Sequence, residues 1–556
     1  MAKDSAESPP KSRPHHLSPA AVISLQAYRA ALDRGDDDRS AAHAAGLPRS
    51  TLRDLNHVPH GETASRDALV RSNEGWEFVR KVVDAALFVF HVSGGVGLPT
   101  FRRFLELSGL NAFVASSYGA MHERANAMTQ KVIALGDSER ARLGNEMTVP
   151  KEIIIGLDET FFPPRTCLVC ADMLSGFLLF ETFASSRDRA AWLGAWQKGT
   201  KGLSLQVSQA VADGAKGIRA FVEGDLNAHR GPDLFHVLND IGKAFAVHLA
   251  RQERAAQGRK EGVLKMYVDL REFAERRESE SRRGRPIDFK AKGYEARGLI
   301  ASVSKEVLIA ERRREEFRTL LNALSDAYLP VGIFDAKRKS AADLHAELEA
   351  IFATLDALAE KSGLGAHHLP YLEKADRCVQ SMVDTLEFFN AHVNRVIAEA
   401  GLDARHARAL ETYLLPAALL RTRARLASSN DERKRLRSLA HNQRIEALQE
   451  LGLALLNTEF LALEALSEKI SLAWQRSTSS IEGRNGYLSQ KYHDLRGMSE
   501  TKLACLTHLH NFYARRSDGT TAAVRFFGSS HLDIARETIA SMGDLKRPRY
   551  SVVRAA

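Results

Sequence analysis

The spacing of apolar residues changes abruptly near residue 151, and that change limits the possible folds more than any other feature. Upstream, apolar positions recur at helical spacing. From there, "EIIIGLDETFF" (152–162), "TCLVCADM" (166–173) and "GFLLFETF" (176–183) are short apolar runs split only by "PPR" and "LSG". Runs of this length bounded by Pro and Gly predict three strands, and links this short permit only antiparallel pairing. "SSRDRAAWLGAWQKGTKGL" then predicts a helix, "SLQVSQAVADGAKG" a fourth strand, 215–223 a helix, and "NAHRGPDLFHVLNDIGKAF" a short strand running into another helix. The predicted class is mixed α+β, in the order β-β-β-α-β-α-β-α across residues 151–240. Trp192 and Trp196 share one face of the first helix, where such spacing favours packing on the sheet over base stacking.

Residues 241–470 read as helical almost throughout, with long charged faces and apolar stripes and no repeat of fixed length. They form a large all-α insertion, after which 471–530 return to the core and 531–556 make a basic tail. Ahead of the strands, 1–18 is a polar, Pro-rich disordered tail and 61–150 a second helical DNA-binding or linker region. Within 19–60, "SAAHAAGLPRSTLRDL" gives a small-residue helix, a Gly turn and a second helix, the order of a helix-turn-helix. Arg49, Ser50, Thr51 and Arg53 would lie near the start of that second helix, where such units meet DNA. An Ala-rich helical hairpin without a ligand has the same pattern. A second candidate, "LPTFRRFLELSGLN", offers Arg102 and Arg103, with Arg124 beyond it, as phosphate contacts.

Charge agrees with an anionic partner. The 556 residues carry 78 Lys and Arg against 69 Asp and Glu, a formal charge of +9, which favours nucleic acid over an acidic surface. "RRGRP" (282–286) has the form of a minor-groove hook and equally of a solvated basic loop; "ERRREEF" and "DERKRLRSL" read as exposed helix faces. The four cysteines are too few and scattered for a disulfide framework, and Cys167 and Cys170 lack the second pair that a structural zinc needs. No apolar run approaches the length of a membrane span, and the N-terminus lacks the apolar region of a secretion signal, so a cytoplasmic, nucleoid-associated protein is expected.

The chemistry concentrates in carboxylates. Asp158 lies at the polar end of the first strand and Asp213 at the end of the fourth, at matching edges if the two are neighbours. Carboxylates at strand ends suit Mg²⁺, which takes hard oxygen ligands and keeps open positions for water and phosphate. A third ligand is expected from a helix beside the strands. Glu482 fits, in the Ser-, Gly- and Asn-rich stretch "STSSIEGRNGYLSQKYHD", with Asn485 on the same face and Arg484 and Lys491 as candidate phosphate contacts. Asp233 in "PDLFHV" also follows a strand-like segment and is the alternative to Asp213. Glu159 is expected in a turn, and His236 as a structural residue or one that orients a carboxylate or phosphate.

The set "GLDET", "VADGAKG", "DLFHV" and "STSSIEGRN", followed by "LHNFYARRSDGTTAAVRFFG", resembles the DDE transposases of bacterial insertion sequences. In particular it is similar to those whose ribonuclease H-like core is interrupted by a helical insertion before the last glutamate. The resemblance covers about 153 to 528 and is loose in the insertion. It implies Asp158, Asp213 and Glu482 as the catalytic triad holding two Mg²⁺ or Mn²⁺ ions. It also implies partners: double-stranded DNA with terminal inverted repeats, target DNA, and a homo-oligomer on paired ends. Two other classes share many of these features, a catalytically silent DNA-binding regulator and a ribonuclease H-like nuclease without strand transfer.

Overall fold

In a computed structural model, the described residues are 19–56, 72–279, 288–427, 429–454 and 457–548; "RRGRP", the 1–18 tail and the last residues of the basic tail lie outside them. The chain divides into two compact units, Met1–Val89 with Leu98–His122 and Met542–Ala556, and Phe90–Gly97 with Glu123–Ser541.

In the first unit, helices Pro19–Asp33, Asp38–Ala45 and Arg49–Asn56 close on a small core of Leu25, Tyr28, Ala31, Ala41, Ala45 and Leu52. Asp37 starts the middle helix by accepting the amides of Arg39 and Ser40, satisfying donors that the first turn leaves free. Gly46 ends it in the left-handed region at φ 68°. The predicted helix, Gly turn and helix are all present. A later helix, Leu98–Leu107, is followed by a short 3₁₀ turn, Leu110–Ala112.

The second unit is a mixed α+β assembly. Strands β1 (Lys151–Phe162), β2 (Arg165–Asp172), β3 (Leu178–Ala184), β4 (Leu205–Ala212) and β5 (His229–Pro232) form one sheet in the order β3-β2-β1-β4-β5. β1 pairs antiparallel with β2, and β2 with β3; β1 pairs parallel with β4, and β4 with β5. The parallel pairs are possible because a helix, Arg189–Gly199 for the first, spans each crossover. Trp192 is fully buried, stacked on Phe221 at 6.2 Å and tilted against Phe180, while Trp196 also meets Phe221. Cys167, Cys170 and Cys505 are buried and free, and burial pushes each thiol well above its ordinary range, so they behave as small apolar residues.

Every named element from Leu234 to Leu472 is helical, opening with two long helices, Leu234–Ser279 and Phe289–Ala327. A single apolar core runs through this region, from Leu234 and Phe245 through Leu348, Leu386 and Leu414 to Trp474. The chain then returns to the sheet as helix Ser479–Asp494. Its buried positions, Ile481, Arg484, Asn485, Leu488 and Lys491, recur at helical spacing and face inward. Gly156 lets it come close: a Cβ there would stand 2.6 Å from Ile481 Cδ1 and 2.4 Å from Met173 Sδ.

Candidate functional site

β1 does not stop at its carboxylates. It continues to Phe162 as one arm of the hairpin with β2, with Asp158 opposite Val169 and Glu159 opposite Leu168. What ends here is the parallel ladder: its last pair is Gly156 with Val211, and β4 finishes at Ala212. Asp158 and Asp213 each follow that last pair by two residues, so both flank the notch where β4 leaves β1. Glu159 is therefore in the strand, not in a turn. Its side chain is paired with Arg187 at 3.1 Å and lies near the Trp192 indole.

Helix Ser479–Asp494 brings the third carboxylate. Thr478 precedes it, yet the Thr478 hydroxyl does not cap the helix; it donates to Asp233 Oδ2. Glu482 lies in the first turn, where the positive end of the helix dipole favours an acid. Three residues on, Asn485 Nδ2 donates to Asp158 Oδ2 at 2.6 Å, joining positions 327 apart in the chain, and Asn485 Oδ1 is buried with no hydrogen-bond partner among the described residues. Gly483 and Gly486 have open space where a Cβ would be.

His236 stands among the acids. Its Nε2 is 4.0 Å from Asp158 Oδ1, 3.8 Å from Asp233 Oδ2 and 3.8 Å from Glu482 Oε1. Asp158, His236 and Glu482 each offer one ligand atom, all within 4.8 Å of one another. The two candidates for second aspartate differ in what occupies them. Asp233 is fully buried, with Oδ1 accepting the Phe235 amide at 2.8 Å and Oδ2 the Thr478 hydroxyl. Asp213 is half-buried and spends only Oδ1, on the Ala215 amide at 2.9 Å.

The electrostatic cost falls on Asp158. Burial does most to push its carboxyl up to about 7; the Glu159 amide opposes it, and the charges of Glu482, Asp233 and Asp213 add to it. A cluster of this kind fits a divalent cation: hard oxygen donors with one imidazole, an orphaned amide oxygen on the neighbouring Asn485, and too little positive charge from the protein itself.

Two predicted phosphate contacts are corrected. Arg484 is buried, and both arms of its guanidinium are committed to Glu181, at 2.7 and 2.8 Å. Lys491 is also buried; its ammonium donates to the Gly94 carbonyl and lies 3.9 Å from Asp494. Both residues sit on the inward face of the helix, where a charge needs an internal partner. In the first unit, Ser50 and Thr51 are exposed and Arg49 is half-exposed, 3.8 Å from Asp38; Arg53 lies in the same helix with its side chain outside the described part. Arg102 and Arg103 are exposed, Arg102 paired with Glu106 at 2.9 Å, and Arg124 is half-buried. The sequence reading does not single out Thr478 or Glu181, and gives His236 only as a structural residue or one that orients a carboxylate or phosphate. Only His236 left a signal, three residues after Asp233 at the start of a helix.

A family model described as a family of unknown function (DUF6399) matches residues 410–554, which include Glu482 and its helix. Among curated proteins, none matches the chain. Among the described residues, no helix is long and apolar enough to cross a membrane.

Proposed function

We propose that the chain is a DDE-type DNA transposase with a ribonuclease H-like core, cutting and joining DNA at the ends of a mobile element. The observation that carries this reading is that Asp158 and Glu482 lie with His236 within 4.8 Å of one another at the notch between β1 and β4, with Asp213 two residues past the last β1–β4 pair and the glutamate arriving after a long helical insertion. The strand order β3-β2-β1-β4-β5, with one antiparallel meander and two parallel additions, supports the core assignment.

Asp158, Asp213 and Glu482 would hold two Mg²⁺ or Mn²⁺ ions, which when bound lower the pKa of water or a 3′-hydroxyl and stabilise the leaving oxygen. Asn485 holds one oxygen of Asp158, while the other accepts the Glu159 amide at 2.8 Å and lies 4.0 Å from His236. Asp233, held by Thr478, serves as a positioning residue that sets His236 and the start of its helix. The open faces at Gly483 and Gly486 leave room for a nucleic-acid backbone beside Glu482. Double-stranded DNA ends would be recognised by the N-terminal helices through Arg49, Ser50, Thr51 and Arg53, aided by Arg102 and Arg103.

The test is incubation of the full chain with Mn²⁺ and a labelled duplex carrying its native element end, comparing wild type with Glu482→Gln. Nicking and joining should be lost in the variant by on the order of 10⁴-fold, because groups that act as a unit fail together. Cleavage that is equal in both, or end binding by wild type without any cleavage, would contradict the reading.

A further inference from the structure

We infer that the helical region carries a phosphate-binding pocket between helices Leu415–Arg425 and Asn430–Leu451. A cavity of ≈ 300 Å³ there is lined, among the described residues, by Arg421, Arg425, Arg437, His441 and Arg444, with Ala440 as its apolar wall and no carboxylate in the lining. The sequence explains how five cationic or ionisable groups reach one place. Arg421 and Arg425 are one turn apart on the first helix, and Arg437, His441 and Arg444 recur at i, i+4 and i+7 on the second.

The five groups are not equivalent. Arg421 is tied to Glu464 at 3.0 Å and Glu468 at 3.1 Å, and Arg444 to Glu464 at 2.6 Å through Nε and 2.9 Å through a terminal nitrogen. Those carboxylates come from helix Thr458–Leu472, behind the cavity, and balance these two guanidiniums while fixing them as walls. Arg425 and Arg437 have no carboxylate partner among the described residues, and both are exposed at the mouth with His441. Two rigid walls and two unbalanced guanidiniums form a site for an oxyanion rich in acceptors, and a phosphate group matches the planar donor fork of arginine. "DERKRLRSL", read from the sequence as a solvated face, thus contributes Arg437 to a concave site. The pocket is separate from the carboxylate notch, and the inference does not rest on metal chemistry there.

The phosphate can come from a DNA backbone or from a free anion, and one set of measurements separates them. The full chain in EDTA is titrated with a fluorescent 20-base-pair duplex at several salt concentrations, and separately melted with and without pyrophosphate. Wild type is compared with Arg425→Ala/Arg437→Ala and with Arg425→Gln alone. If the phosphate belongs to DNA, the double variant binds the duplex at least about tenfold more weakly, and its salt slope falls by about 1.8, near 0.9 for each lost contact. If pyrophosphate raises the melting temperature of wild type but not of the double variant while duplex binding is unchanged, the site is upheld and its occupant is a free phosphate. Unchanged duplex affinity, unchanged salt slope and no differential protection by pyrophosphate would overturn the inference; Arg425→Gln, which keeps the side-chain bulk, guards against a folding defect. Because nicking is not read here, a chain that binds through Arg425 and Arg437 yet never cuts DNA keeps this inference and loses the transposase reading.

Discussion

Helix Ser479–Asp494 serves two acidic clusters, and it treats them in opposite ways. At Glu181 the charge is answered in full: Arg484 grips it with two hydrogen bonds and Thr507 adds a third at 2.6 Å. Burial pushes the Glu181 carboxyl upward, but the guanidinium and the hydroxyl outweigh it and hold the group below its ordinary range. At the notch, the one ion-pair partner that Asp158, Asp233 and Glu482 share among the described residues is His236, at 3.8 to 4.0 Å, and Asp158 is pushed up to about 7. The same fold, within one helix, has the means to neutralise an acid and does not use it at the notch. Incomplete neutralisation is the expected state of a site shaped for a cation.

The largest effect should come from breaking the balanced cluster. Glu181→Gln leaves Arg484 charged and buried, and we expect a loss of about 3 to 5 kcal/mol in unfolding free energy, measured by denaturant titration. The pH dependence follows from the direction of the shift. Since the carboxyl of Glu181 is lower in the folded state than in the unfolded one, its contribution is present above the unfolded value and is lost as pH falls through the folded value. Wild type and Glu181→Gln should therefore converge in stability on acidification; a constant gap from pH 7 to pH 2 would show that the pair contributes packing and not charge.

A smaller effect is expected at the Thr478–Asp233 contact beside the notch. Thr478→Val removes the donor to Asp233 without changing the volume of the side chain and should cost about 1.5 to 3 kcal/mol, the range for a hydrogen bond to a charged group. If Asp233 positions His236 and is not a metal ligand, Mn²⁺ should recover little of that loss in a thermal melt. Full recovery by Mn²⁺ would make Asp233 the second metal-binding aspartate in place of Asp213.

The smallest change in stability is expected at Gly156. Gly156→Ala meets the side-chain ends of Met173 and of buried Ile481, which must shift, so a loss of about 1 kcal/mol, the low end for overpacking, is expected. Ile481 adjoins Glu482, so Mn²⁺ affinity should fall more than that loss implies. Affinity unchanged within error would mean that the helix does not transmit the displacement.

The sheet was legible because its strands are short apolar runs with punctuated ends, a local signal that survives without knowledge of partners. Asp158, Asp213 and Glu482 could be singled out for a related reason: a polar residue at the edge of a strand, or in a Gly- and Ser-rich helix start, breaks a local pattern. The charge balance was not legible. Arg484 looked like a phosphate contact because nothing near it in sequence reveals Glu181, 303 positions away, and Lys491 likewise finds its acceptor 397 positions away at Gly94. Glu159 was placed in a turn because "GLDETFF" breaks its apolar run at Asp158, while hydrogen bonding to β2 continues through Phe162. Pairing of cations with anions across the fold is a long-range property; in the arginine pocket the spacing on each helix is local, but the meeting of the two helices and the carboxylates of Glu464 and Glu468 is not.

The comparison between the two clusters comes down to whether the notch holds a cation. The most direct measurement is the binding of Mn²⁺ to the full chain by electron paramagnetic resonance, for wild type, Asp158→Asn and Glu181→Gln under conditions where each is folded. The account predicts saturable binding by wild type and Glu181→Gln, and at least about a hundredfold weaker binding by Asp158→Asn, beyond what loss of an outer-shell partner costs. Equal binding by wild type and Asp158→Asn, or none by wild type, would contradict it.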